Sequence, residues 1–159
     1  MPESDLNNDY VAIVEKLWTD LWVNTKSSER TLDDFQTYFD MMADDVVFKI
    51  EGPEGWGLPT YPAEHRGKAR VLEVYTKEDP GLVDQIDYER PPEFIGQSNR
   101  VVILGAERYR IKKTDVMARN KEFAIVIDFR GGKIVRVHQV ADLSEFAFAY
   151  RPEDGTAQA

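Results

Sequence analysis

Polar side chains inside otherwise apolar rows are where this sequence can do chemistry. Along Lys133 to Ala141, the residues Val135, Val137, Gln139 and Ala141 share one face of a strand pattern. In the preceding strand pattern Phe123, Ile125, Ile127 and Phe129 do the same. Gln139 therefore interrupts a core-facing row. An amide buried there costs about 1 to 3 kcal/mol unless its hydrogen bonds are met, so it bonds either a loop carbonyl, as a structural residue, or a ligand. On the long pattern Arg100 to Lys112, Val102, Leu104, Ala106, Arg108 and Arg110 form one face, and the two guanidinium groups either enter the interior from its open end or lie at a solvated rim. Glu51 ends another alternating run, and it is a base if a bulge turns it inward and a solvated carboxylate otherwise.

The remaining reactive residues mostly exclude. His65 and His138 are the only two histidines and neither has ligand spacing to a second one, so no metal site is expected. The sequence has no cysteine, which removes disulfides and thiolate nucleophiles. Ser27, Ser28, Ser98 and Ser144 lack a Gly-x-Ser-x-Gly elbow. Arg130-Gly131-Gly132-Lys133 reads as a hairpin turn rather than a phosphate cradle.

These residues need elements to hold them. Tyr10, Ile13, Val14, Leu17, Trp18, Leu21 and Trp22 recur at three and four, which predicts an amphipathic helix capped by Asn7 or Asn8. Thr31 and Asp34 form a capping box for a second helix, with Phe35, Tyr38, Phe39 and Met42 inward. A strand follows over Val46 to Glu51, and then a Pro/Gly loop from Gly52 to Pro62 that carries Trp56. Gly67 to Thr76 is a short third helix stopping before Asp79-Pro80-Gly81. Strands are predicted at Leu82 to Tyr88, Arg100 to Lys112, Glu122 to Phe129 and Lys133 to Ala141, and Asp142-x-x-Glu145 can cap a closing helical turn. The fold class is α+β, with helices on one face of a curved, mostly antiparallel sheet.

The 159 residues, 42% apolar and 31% charged, fit a single domain over residues 1–151, followed by a frayed polar tail at 152–159. With 29 acidic and 20 basic residues the net charge is -9, which disfavours nucleic acid and acidic membrane surfaces as partners. No apolar run approaches the roughly 18 residues of a spanning helix, and the N-terminus does not read as a signal peptide, so a soluble cytoplasmic protein is expected. Ala124, Val126, Ile134, His138 and Val140 place apolar residues on the outer sheet face too, which predicts a homodimer through that face.

Several segments together resemble the SnoaL-like polyketide cyclases of the nuclear-transport-factor-like, ketosteroid-isomerase-like superfamily. They are Met42-Ala43-Asp44-Asp45-Val46-Val47-Phe48, then His65-Arg66-Gly67-Lys68 after a Gly/Pro loop, then Phe129 to Val137, and finally Asp142-Leu143. The resemblance implies a cone, a bent sheet wrapped round helices with an apolar pocket at its wide end. It further implies that Trp18, Trp22, Phe48 and Trp56 line or lid that pocket, where strand alternation already places Phe48, Ile125, Ile127, Val137 and Gln139. Arg110 joins them as a substrate-binding candidate.

Relatives of that kind use a pocket carboxylate or histidine as acid or base on a small apolar substrate. Here the last-strand acid falls on Gln139, the Arg-x-Asp pair of the epoxide hydrolases falls on Arg108-Tyr109-Arg110, and the isomerase base falls near Ile50, beside Glu51. The expectation is a cofactor-independent enzyme that cyclises, isomerises or dehydrates a small apolar carbonyl compound. Its catalytic candidates are Gln139 and Arg108 as polarising groups and Glu51 as base. The alternative is a non-catalytic domain of the same fold that holds a hydrophobic ligand.

Overall fold

The computed structural model describes residues 3–24, 29–52 and 63–150, with side chains from residue 9 onward. Trp56, the rest of the Gly/Pro loop from residue 53 to 62, and the tail at 152–159 lie outside the described residues. Helix α1 (Glu3–Trp18) runs into a wider π-helical turn, Thr19–Val23, closed by the Asn24 N–H donating to the Thr19 carbonyl at 2.8 Å. It starts at Glu3, so Asn7 and Asn8 lie within it and do not cap it. Helix α2 (Leu32–Asp40) opens on the expected capping box. The Asp34 N–H donates to Thr31 Oγ1 at 3.4 Å, and the Thr31 N–H donates to the Asp34 carboxylate at 2.6 Å.

The third helical stretch differs from expectation. Helix α3 (Lys68–Glu73) continues through a π-helical turn, Val74–Glu78, into the short α4 (Asp79–Leu82) instead of stopping before Asp79. Pro80 sits in the first turn of α4, where a missing N–H costs little. The chain closes with α5 (Ser144–Tyr150), and Asp142 accepts the Ser144 N–H at 3.0 Å just ahead of it.

Among the described residues seven strands form one open, curved sheet: β1 (Met42–Ile50), β2 (Ala63–Arg66), β3 (Val83–Tyr88), β4 (Glu93–Gln97), β5 (Arg100–Ile111), β6 (Val116–Arg130) and β7 (Lys133–Ala141). Their order is β2-β1-β7-β6-β5-β3, with β4 beside the other end of β5. Every pairing is antiparallel except β1 with β7. Gly131 and Gly132 take φ of 57° and 82° in the β6–β7 turn, left-handed values that glycine adopts at no steric cost. β2 and β4 were not foreseen. β2 is a four-residue stretch without apolar alternation, and β4 is a short strand with exposed Glu93, Ile95 and Gln97.

Val46, Phe48 and Ile50 of β1, Val101 and Ile103 of β5, and Ile125, Ile127 and Phe129 of β6 point inward. They pack with Val14, Trp18 and Leu21 of the first helix, Phe35 and Tyr38 of α2, and Val71 of α3 in one core. Besides a register shift between Met42 and Val47 of β1, three irregularities decide what else faces inward. On β7 an extra residue near Val135, opposite Asp128–Phe129, places Ile134 in the core at 0% exposure. That corrects two expectations: Ile134 is not on the outer face, and Val135 is not in the core row.

On β6 an extra residue at Lys121–Glu122, opposite Gly105–Glu107, turns Ala118 and Asn120 to the same side as Phe123. On β3 an extra residue lies between Asp84 and Asp87, where Gln85 has φ 51°. Both bulges flank the second half of β5 and bend the sheet there. Gly105 is required at this bend, because a Cβ on it would come within 2.7 Å of the Phe123 ring. Among the described residues no helix is long and apolar enough to cross a membrane.

Candidate active site

The bend opens a cavity of about 400 Å³ between the helices and the sheet. One wall is aromatic, made of Trp18, Trp22, Phe35, Phe48 and Tyr75. Trp18 stacks on Trp22 at 4.2 Å between centroids, and Phe48 on Tyr75 at 4.9 Å. These rings come from helix faces and from the β1 row, so ordinary amphipathic patterning puts them there. The opposite wall is polar, built by Tyr88 of β3, Glu107 and Tyr109 of β5, Asn120 of β6 and Gln139 of β7.

Glu107 is the carboxylate buried in this wall, and Asp79 and Asp84 also line the cavity. The position of Glu107 follows from strand phase: Val101, Ile103, Gly105, Glu107, Tyr109 and Ile111 share the inward face of β5. The Asn120 amide donates to its carboxylate at 2.9 Å, across a pair brought into register by the β6 bulge. Burial is the main cause that pushes the Glu107 carboxyl up to about 7, against the Asn120 hydrogen bond; Asp79 adds to the rise and Arg30 opposes it. Near neutral pH both protonation states of Glu107 are populated, which suits a group that takes and returns a proton.

Two phenols stand near it. Trp18 Nε1–H donates to the Tyr88 oxygen at 2.7 Å, which leaves the Tyr88 O–H to donate in turn. Burial, and then the Glu107 charge, push the Tyr88 and Tyr109 phenols up, so both stay protonated donors. Among the described residues Tyr109 Oη and Asn120 Oδ1 are buried without a hydrogen-bond partner, a cost of about 1 to 3 kcal/mol each that a suitably placed ligand oxygen or hydroxyl would relieve. The wall thus combines a titrating carboxyl with neutral donors.

Of the expected site residues, Trp18, Trp22, Phe48, Ile125 and Gln139 line the cavity. Gln139 has no side-chain hydrogen bond among the described residues, and its backbone carbonyl accepts the Glu51 N–H at 3.0 Å. Ile127 and Val137 lie deeper, in the core, and do not reach the cavity. Arg108 is exposed on the outer side of β5, because the inward face is the odd-numbered one and not the even-numbered one. Arg110 shares that side and donates to Asp84 at 2.9 Å and to Asp115 at 2.7 Å.

Glu51 also faces outward. Pairing of β1 with β7 is regular from Val47 to Ile50, so no bulge turns it, and its carboxylate meets Lys49 and His138, each at 3.0 Å. The Lys49 contact first, and then the His138 one, hold it below the usual carboxylate range.

Glu107, Asn120, Tyr88, Tyr109 and Arg30 were missed by sequence reasoning. A signal existed for Glu107 and Tyr109. The odd face of β5 is as apolar as the even one, and it ends in Tyr109 and Ile111, where the even face ends in two arginines. Asn120 carried no such signal, since only the bulge turns it inward.

Comparisons with known proteins bear on the architecture. No protein-family model matches the sequence, and no curated protein matches it. Solved structures do match. An NTF2-like protein from Burkholderia xenovorans is 23% identical with a TM-score of 0.71, over 91% of this chain and 98% of that one. TerC, co-crystallised with polyporic acid, is 21% identical with a TM-score of 0.63, and a provisionally assigned polyketide cyclase from Xanthomonas campestris pv. campestris is 13% identical with a TM-score of 0.66. Both of these cover 91% of this chain and 98% of their own. Identities this low speak to architecture alone, and the chain has the NTF2-like, ketosteroid-isomerase-like fold.

Proposed function

We propose that the protein is a cofactor-independent acid–base enzyme that moves a proton next to the carbonyl of a small, largely apolar compound, as isomerisation, cyclisation and dehydration all require. The observation that carries this reading is Glu107, a carboxyl in the cavity wall with a pKa near 7 and one hydrogen bond from Asn120. In its ionised form Glu107 takes the acidic proton beside the carbonyl. Tyr109 and Tyr88 donate to the oxygen as negative charge develops on it, and the Gln139 amide is a further donor on the same wall. Glu107 then returns the proton at a second carbon, or the anion closes a ring or expels a leaving group. The aromatic wall holds the body of the substrate and limits its size.

The test needs no natural substrate. Solvent deuterium incorporation beside the carbonyl of an acidic aryl ketone such as 2-tetralone, followed by mass spectrometry, should be accelerated by the wild-type protein. E107Q should lose most of that acceleration. Binding of such ketones with no exchange above buffer would support the non-catalytic alternative instead.

We also propose that the chain pairs with a second copy through the outer sheet face, where Ala124 and Val126 are half-buried and Val140 is 45% exposed. Sedimentation at micromolar concentration tests this, and a monomer would refute it.

A further inference from the structure

We propose that Trp18 is a positioning residue of this site: its indole N–H turns Tyr88 into a one-way donor and so commits that part of the wall to a ligand oxygen that only accepts, a carbonyl or its enolate. The inference rests on the cavity being a site for carbonyl compounds, as argued above, but not on Glu107 being its base. Trp18 ends α1 at 3% exposure, and its Nε1–H donates to the Tyr88 oxygen at 2.7 Å. A phenolic hydroxyl can both donate and accept. Once an N–H points at its oxygen, the phenolic hydrogen turns to the other side, because the two hydrogens repel. Among the described residues Trp18 is the hydrogen-bond partner of Tyr88, which lines the cavity, so the Tyr88 O–H is left for what enters there.

Both rings of the pair are held in place. Trp22, in the π-helical turn that follows Trp18, stacks on the indole at 4.2 Å between centroids, and Tyr38 meets it edge-on at 6.0 Å. Phe123 packs edge-on against the Tyr88 ring at 5.9 Å. The hydrogen bond from Trp18 also polarises the Tyr88 O–H and strengthens it as a donor, by about 10 to 30% for one bond in such a chain. It acts on the phenol in the opposite sense to burial and to the Glu107 charge. A ligand hydroxyl facing Tyr88 must find an acceptor for its own hydrogen elsewhere. An enolate oxygen makes no such demand, and it gains most from a polarised, pre-aimed donor as its negative charge develops.

The test removes the N–H and keeps the ring. With 3-benzothienylalanine in place of Trp18, sulfur stands where the N–H was and the stacking on Trp22 is retained. Deuterium exchange of 2-tetralone should then slow by about threefold to tenfold in kcat with KM nearly unchanged, against about a hundredfold for Y88F. In a Y88F background the same replacement should cost nothing further, since Trp18 acts through the hydroxyl. A second readout does not need Glu107: 2-naphthol, the aromatic counterpart of the tetralone enol, bound to E107Q. Replacing Trp18 there should lower the bound naphtholate-to-naphthol ratio, read by absorbance, by about threefold to tenfold. Retained naphthol binding shows that the variant is folded. An unchanged ratio in the benzothienyl protein, an equal further loss in Y88F, or no binding of 2-naphthol to E107Q would overturn the inference. A ratio that falls with Trp18 replaced, in a protein whose wild type shows no exchange, would overturn the acid–base reading and uphold this one.

Discussion

Two glutamates on the same sheet show what placement does to one functional group. Glu107 lies on the inner face of β5, where burial raises its carboxyl to about 7 and Asn120 supplies a single neutral donor. Glu51 lies just past β1, facing outward between Lys49 and His138, which hold its carboxyl below the usual range. The first spends neutral pH between two protonation states, while the second is held toward its ionised form by its two neighbours. Their chemistry differs because the β6 bulge brings Asn120 to one of them, while regular pairing of β1 with β7 keeps the other turned away from the cavity. Strand phase, and not residue type, separates a buried carboxyl that titrates near neutral pH from a surface ion pair.

That contrast can be broken at four places. The largest effect is expected on turnover: Glu107→Gln should cut carbonyl-directed proton transfer by about a hundredfold to ten-thousandfold, as removal of a positioned base does. Wild-type kcat/KM should fall as pH drops below about 7, because the base must be ionised. A loss confined to Glu51→Gln would invert the comparison.

The second effect is on stability and has the opposite sign. The Glu107 pKa is higher in the folded chain than in the unfolded one, so the native state binds more protons between about 4.5 and 7 and loses stability as pH rises through that window. Glu107→Gln should therefore stabilise the protein at pH 8, by at most about 3 kcal/mol, and the gain should vanish near pH 4. Urea midpoints at the two pH values would show it. The third concerns the bend: Gly105→Ala forces a methyl group against Phe123 and should cost about 1 to 3 kcal/mol in the same assay, with Phe123 shifted against Tyr88. The smallest effect is expected outside. Glu51→Gln and Arg108→Ala should leave exchange rates within about twofold, since a surface ion pair is worth little and neither side chain reaches the cavity.

The fold was legible wherever one periodicity ran unbroken. The Thr31–Asp34 capping box, the Gly131–Gly132 turn and the bounds of β7 are local signals, and the structure shows all three. Trp18, Trp22, Phe48, Ile125 and Gln139 reach the cavity, and for Phe48 and Ile125 the rows Val46 to Ile50 and Phe123 to Phe129 continue without interruption. Legibility failed at bulges. One extra residue in a strand reverses every later side chain, and neither Val135 nor Lys121–Glu122 is itself a glycine or proline that would announce it. Arg108 was misplaced for a related reason: β5 is apolar on both faces, so alternation alone did not choose between them. The Arg-x-Asp pair of the epoxide hydrolases falls on Arg108-Tyr109-Arg110, of which Tyr109 lines the cavity and the two arginines do not, and that correspondence did not reach Glu107, one residue earlier.

The parallel pairing of β1 with β7 also orders events during synthesis. Ile50 lies beside Gln139, about ninety residues later in the chain, so β1 leaves the ribosome long before the strand that will flank it. Until then, among the described residues, β1 has only the four-residue β2 as a strand partner, and so small a ribbon is marginal in water. The long hairpins of β5, β6 and β7 join neighbours in sequence and can form early. The edge that carries Phe48 and Ile50 then closes last, across the longest loop the chain has to draw in. Phe48 should thus join the aromatic wall late in folding, and a nascent chain that stalls before residue 133 is expected to present the β1 edge that β7 would cover to whatever chaperone or aggregate it meets.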